Sequence, residues 1–316
     1  MVGLVALSVL AGMTGCRTRG SSSSKGPAAA HTNAAVEDEL QKIINAGEQA
    51  NADVERWIAE IQQKSGTKEE IAAAKSELRQ RIQARYGAVR KSYADFIQRH
   101  PKHAGGYASY GDFLLGHYDE DGAAEQLEKA LKLDKKNPTV YNDLANIYGH
   151  SGSVKKAFDY YARAIQADAT EPIYYQNFGT TVFLFRKDAK EFYGINEQQV
   201  FDKALMLYSN ATRLDPTNFA LASDVAETYY GIKPWRFEDA LRSWTNALTL
   251  AHDETEREQV YTHFARIETQ AGRYDEARSH LQAVTNATYA KLKDRMLRNI
   301  QEHEQAATTN SPPASR

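Results

Sequence analysis

The chain has 316 residues, 42% hydrophobic and 25% charged, with a formal net charge of -2. That composition fits a globular protein of one or two domains, and the near-zero charge argues against a nucleic-acid binder, which would show a basic excess. The single cysteine, Cys16, excludes intrachain disulfides and multi-cysteine metal sites.

In chain order, Val2 to Met13 is an uncharged apolar run of signal-peptide length, too short to span a bilayer as a helix. Met13-Thr14-Gly15-Cys16 follows it. This stretch resembles the lipobox of bacterial lipoproteins, although Met13 replaces the usual leucine and no Lys or Arg precedes the apolar run. The resemblance implies a signal peptide at 1–15 and lipidation of Cys16 as the mature N-terminus. Arg17 is not the Asp that retains such proteins in the inner membrane, which implies the outer membrane, facing the periplasm. The competing reading is a short buried helix with a core cysteine. Residues 16–35 are rich in Ser, Gly, Ala and Thr and read as a flexible tether.

Val36, Leu40, Ile43, Gly47, Ala50, Val54, Trp57 and Ile61 recur at spacings of four and three. They mark one stripe of a long helix at coiled-coil period. After Ser65-Gly66, Thr67 and Glu70 form a capping box. Ile71, Leu78, Ile82, Tyr86, Val89, Tyr93 and Phe96 then mark a second long helix that ends before Pro101. Residues 36–103 are expected to form an antiparallel helical pair, or to self-associate through 36–100 as a coiled coil.

From 104 onwards one pattern repeats. Small residues stand at three sites per unit. The first site holds Gly111, Ala145, Gly179, Ala226 and Ala265; the second, Ala123, Ala157, Ala204, Ala240 and Ala277; the third, Ala130, Ala164, Ala211, Ala247 and Val284. Tyr107, Tyr141, Tyr175 and Tyr261 fill gaps on the first helices, and Leu127, Tyr161, Tyr208, Trp244 and Leu281 on the second. The pattern is similar to that of tetratricopeptide repeats (TPR). It implies an all-α fold: a TPR-type α-solenoid of about five helix pairs, preceded by the long helical pair and closed by a capping helix. The cap is expected at 289–304, with Leu292, Met296 and Ile300 on one face. Residues 104–304 form this unit, and 305–316 read as a disordered tail.

The count breaks once. Ala123 and Ala157 stand 34 residues apart, Ala157 and Ala204 stand 47 apart. Val182, Phe185, Ala189 and Phe192 continue a helical stripe through the extra segment, so both helices of that hairpin are expected to lengthen. The tip would carry Phe192, Tyr193 and Ile195, with Ile232 and Trp235 of the next repeat beside it. Those side chains form a docking patch or pack on one another.

The resemblance also implies that the first helices line an inner groove. Its residues would include Asn142, Asn146, Gln176, Thr180, Phe183, Ser223, Glu227 and Tyr230, with Ala108, Asp112, Thr262 and Arg266 on the same face. Their amides could hold an extended peptide backbone; the alternative is a solvated polar face. Gly149 to Ser153 falls short of a nucleophile elbow, since Ser153 stands where the last Gly belongs. Pro101 denies His100 and His103 a shared helical face. Neither catalytic residues, nor a cofactor, nor a metal site is expected. The function implied is a lipid-anchored, non-catalytic interaction scaffold of the bacterial cell envelope, binding a protein or peptide and no nucleic acid. The alternative is a surface glycan- or nutrient-binding lipoprotein that uses exposed Tyr and Trp, including Trp235 and Trp244, as stacking platforms.

Overall fold

The computed structural model describes residues 27–309, with side chains from Asn33 to Ala306. The expected signal peptide, Cys16 and the first part of the tether lie outside the described residues, as does the end of the expected tail. Among the described residues there are fourteen α-helices and no strand. No helix among them is long and apolar enough to cross a membrane. The chain divides into two compact units at Gln98 and Arg99.

The first unit holds α1 (Pro27–Gln62) and α2 (Lys68–Arg99). Helix α1 begins inside the stretch expected to be tether. Proline at a first helical position forgoes an N–H that has no partner there, and the alanines that follow are strong helix formers. The capping box forms: Thr67 Oγ1 accepts from the Glu70 amide at 3.3 Å, and Glu70 Oε2 accepts from the Thr67 amide at 2.9 Å. The two helices are pinned by Arg85 on Asp53 at 3.1 Å and by the Arg81 guanidinium 3.8 Å over the Trp57 ring. Leu40, Ile43, Ala50, Val54 and Trp57 are buried. The apolar stripe is thus covered within the chain, as the expected helical pair requires.

The second unit is built from five helix pairs: α3 (Ala104–Leu115) with α4 (Glu120–Leu133), α5 (Pro138–His150) with α6 (Val154–Ala167), α7 (Pro172–Leu184) with α9 (Glu197–Leu214), α10 (Phe219–Thr228) with α11 (Phe237–Leu250), and α12 (Glu254–Gln270) with α13 (Tyr274–Ala283). Short helix α8 (Arg186–Tyr193) interrupts the third pair, and α14 (Ala290–Thr309) closes the array. Asn137, Asn218 and Asp253 start α5, α10 and α12 by accepting backbone N–H groups. Within each pair the helices cross at the small residues. Ala123, Ala145, Ala157, Ala204, Ala226, Ala240, Ala265 and Ala277 have no measurable exposure. A Cβ on Gly111 would stand 2.6 Å from Leu127 Cγ, so the first crossing admits no side chain without a shift. The cap behaves as expected: Ile300 is buried against Ala265, Ala277 and Leu281, with Met296 beside it.

The insertion departs from expectation. Helix α7 stops at Leu184, and only α9 is lengthened. Helix α8 folds back over α6: Ala189 is fully buried, and the Phe192 and Tyr193 rings lie 5.4 and 5.6 Å from Phe158. Lys155 on α6 meets Glu191 on α8 at 3.4 Å. A straight continuation would leave this apolar stripe in water; folding back buries it.

In the first, second and fifth pairs the turn places a left-handed residue seven positions after the first small site. Gly152 and Gly272 supply it with φ of +80° and +76°, while Tyr118 occupies the equivalent place at +59° with its side chain exposed. A left-handed tyrosine is strained where glycine is not. Tyr118→Gly should therefore raise stability by about 0.5–1 kcal/mol, strain relief less the added unfolded-state entropy of glycine. Urea denaturation checks this; a destabilised variant would contradict it.

Candidate functional site on the first helices

The first helices share one polar face, identified by contacts that run from repeat to repeat. Asn177 Nδ2 on α7 donates to Asn142 Oδ1 on α5 at 3.1 Å. Gln176 Nε2 on α7 donates to Asp224 Oδ2 on α10 at 2.8 Å. Tyr230, in the 3-10 turn that follows α10, places its hydroxyl 2.9 Å from His263 Nδ1 on α12.

These bonds change the meaning of the expected peptide hooks. Asn142 is buried, and its nitrogen donates to Asp143 at 3.3 Å. Asn146 Oδ1 accepts the Tyr161 hydroxyl at 2.5 Å, and the Thr180 hydroxyl lies 2.8 Å from that of Tyr208. Ser223 is buried, with no hydrogen-bond partner for its oxygen among the described residues. Phe183 is half-buried, its ring 6.0 Å from Phe201. Enclosed amides must be satisfied, and the nearest partners belong to the same or the next repeat. The amides therefore brace the face rather than stand as uniformly open hooks.

Beside Asp112, Glu227 and Arg266, which were expected there, the face carries polar residues one position beyond those expected to point inward. Asp143, Asn177, Asp224 and His263 follow Asn142, Gln176, Ser223 and Thr262. All four are polar, and that regularity was the available signal. Burial, then the charge of Asp112, pushes the Asp143 carboxyl up to about 7, against the hydrogen bond from Asn142. Burial also raises Asp112 and, against the Gln176 bond, Asp224. Glu227 is raised by burial and by Asp224, while Arg266 opposes the shift. His263 is pushed down to about 3 by burial and by the Arg266 charge. It is therefore neutral at pH 7, stacked 3.8 Å from the buried Trp244 ring.

The expected docking tip is not assembled. Ile232 is fully buried, Tyr193, Ile195 and Trp235 are half-buried, and Phe192 alone of the set is exposed. Tyr193 lies under Lys203, whose ammonium is 4.2 Å from its ring centre, and Trp235 packs edge-on against Phe237 at 5.5 Å. Trp244 is fully buried, which removes it as a stacking platform for glycans. Among the described residues no group of three or more His, Cys, Asp or Glu is placed to hold a metal ion.

Helix pairs stacked in phase, crossing at small residues and exposing one polar face, define a helix-pair repeat scaffold. The family model described as "Tetratricopeptide repeat" matches residues 138–171, the α5–α6 pair and the turn after it. A TPR repeat-containing protein of Methanocaldococcus jannaschii is 37% identical over 60 residues, 19% of this chain and 11% of that protein. The chain thus spans about a tenth of the length of this curated relative. The solved C-terminal part of a TPR repeat-containing protein from Cytophaga hutchinsonii superposes with a TM-score of 0.52 at 14% identity, covering 82% of this chain and 99% of the other. PilF of Pseudomonas aeruginosa superposes with a TM-score of 0.49 at 14% identity, covering 84% and 100%.

The Asp143 shift has a consequence for stability. A carboxyl whose folded value lies above its unfolded one makes the folded state bind more protons, so stability falls as pH rises between about 4 and 7. Asp143→Asn should match the wild type at pH 4 and exceed it at pH 8 by about 1–2 kcal/mol, the shift being discounted for solvent at the face. Urea denaturation at the two pH values checks it; a difference independent of pH would contradict the assignment.

Proposed function

We propose that the chain is a lipid-anchored, non-catalytic scaffold of the bacterial cell envelope that binds a protein or peptide along the shared face of its first helices. The single observation carrying this reading is the braced polar face of α5, α7, α10 and α12, continuous across four repeats. Tetratricopeptide arrays are protein-interaction scaffolds, and one such repeat is matched at the α5–α6 pair, whose first helix contributes to this face. Side chains held by bonds between repeats are preorganised, so binding a partner costs little further ordering. Support for the anchor is Cys16 itself, which follows an apolar run and precedes a polar stretch with no large apolar residue before Val36. Acyl chains there would hold the scaffold at a membrane, two or more being needed for stable anchoring. The outer membrane, on its periplasmic side, is the address in this proposal.

Labelled fatty acid should enter the full chain in bacterial cells, and Cys16→Ser should abolish it; label persisting in the variant would overturn the anchor. A photocrosslinking residue at Thr180 should capture a defined protein in intact cells, with weaker or no capture from Tyr193. Capture from Tyr193 alone would move the site to α8.

A further inference from the structure

At the C-terminal end of the same face, α12 and α14 leave a cleft of about 330 Å³ lined by Arg266, Thr269, Leu292, Arg295, Met296 and Asn299. The cap seals the core through Ile300, but the cleft beside it stays open. Neither guanidinium has a carboxylate within ion-pair distance among the described residues. Arg266 is nonetheless held in place. Its guanidinium lies 4.2 Å over the Tyr230 ring, the Tyr230 hydroxyl is 2.9 Å from His263 Nδ1, and His263 stacks on Trp244. A guanidinium fixed by stacking on a buried support loses little freedom when it forms a bidentate pair. Between this cleft and the N-terminal repeats the charge reverses: Glu227 and Asp224 come first, then Asp143 and Asp112.

We propose that the cleft takes an acidic side chain of an extended peptide, whose basic neighbours run from there toward Glu227 and Asp224. The two arginines supply charge-assisted, fork-shaped donors for a carboxylate. Leu292 and Met296 supply an apolar wall for the residue beside it. The acidic row repels a long polyanion, so charge complementarity selects a short segment with one anionic anchor and cationic residues on one side only. The inference rests on the reading of the first-helix face as the binding surface, and it adds the partner's chemistry and direction of charge.

The test titrates fluorescein-labelled octapeptides into the full chain at low salt, followed by anisotropy. One peptide carries Asp-Leu near its N-terminus and two lysines near its C-terminus; a second has the reverse order. One of the two should bind. Arg295→Ala, on the exposed cap, should weaken it at least tenfold with no change in melting temperature, and Arg266→Ala should weaken it at least tenfold too. Changing the peptide Asp to Asn should weaken binding as much in the wild type and cause no further loss in Arg295→Ala. Glu227→Gln should weaken the lysine-bearing peptide severalfold and should not weaken a lysine-free analogue. Binding of neither peptide at millimolar concentration, or unchanged affinity in Arg295→Ala, overturns the proposal. Displacement by inorganic phosphate at equal concentration overturns it too, showing an anion site with no preference for peptide. The scaffold reading fails separately: its sign is loss of the Thr180 crosslink in wild-type cells. A crosslink that persists in Arg295→Ala cells leaves the scaffold standing and removes this cleft from it.

Discussion

Every helix pair in the array depends on an approach that only a hydrogen atom or a methyl group permits. Gly111 faces Leu127, Gly179 faces the carbonyl of Ala204 and the Tyr208 ring, and alanines fill the other crossings. Interiors are packed too densely to absorb a larger group there without displacing a helix. Because the same restriction recurs in each pair, the pairs stack in phase and equivalent positions of the first helices fall on one face. The bonds from Asn177 to Asn142 and from Gln176 to Asp224 exist only because the phase is kept.

The same restriction made most of the fold legible in the sequence. A requirement for small residues leaves a mark that substitution elsewhere does not blur, so five pairs could be read from alanine and glycine positions. The cap was legible for a similar reason, through Ile300 and Met296. Helix α8 was not. The stripe of Val182, Phe185, Ala189 and Phe192 has the same period in one continuous helix as in two helices broken at Phe185. The break is decided by Phe158, on a different helix, which the periodicity does not register. Likewise the stripe on α1 looks alike whether its partner is α2 or a second chain; the pairing of Asp53 with Arg85 on α2 is a tertiary contact that the period does not register.

The site was legible in part. Spacing placed Asn142, Gln176 and Tyr230 on a common face, but it could not say that their polar atoms would be spent on Asn177, Asp224 and His263. Hydrogen-bond partners three and four dozen residues away are a tertiary property. What spacing hid is also what gives the face its character. Bracing consumes the neutral amides and leaves charge as the feature a partner meets: carboxylates along α3, α5 and α10, then arginines on α12 and α14. Enclosure strengthens those charges' mutual effects, as the raised Asp143 and the neutral His263 both register.

The central claim is that partners engage the first helices of the array and not the second. Hydrogen exchange of the full chain, measured with and without the protein captured from its inner face, tests this most directly. The account predicts added protection in peptides covering 138–150, 172–184, 219–231 and 254–270, with little change across 154–167 and 237–250. Protection confined to the second helices, or to 186–193, would contradict it.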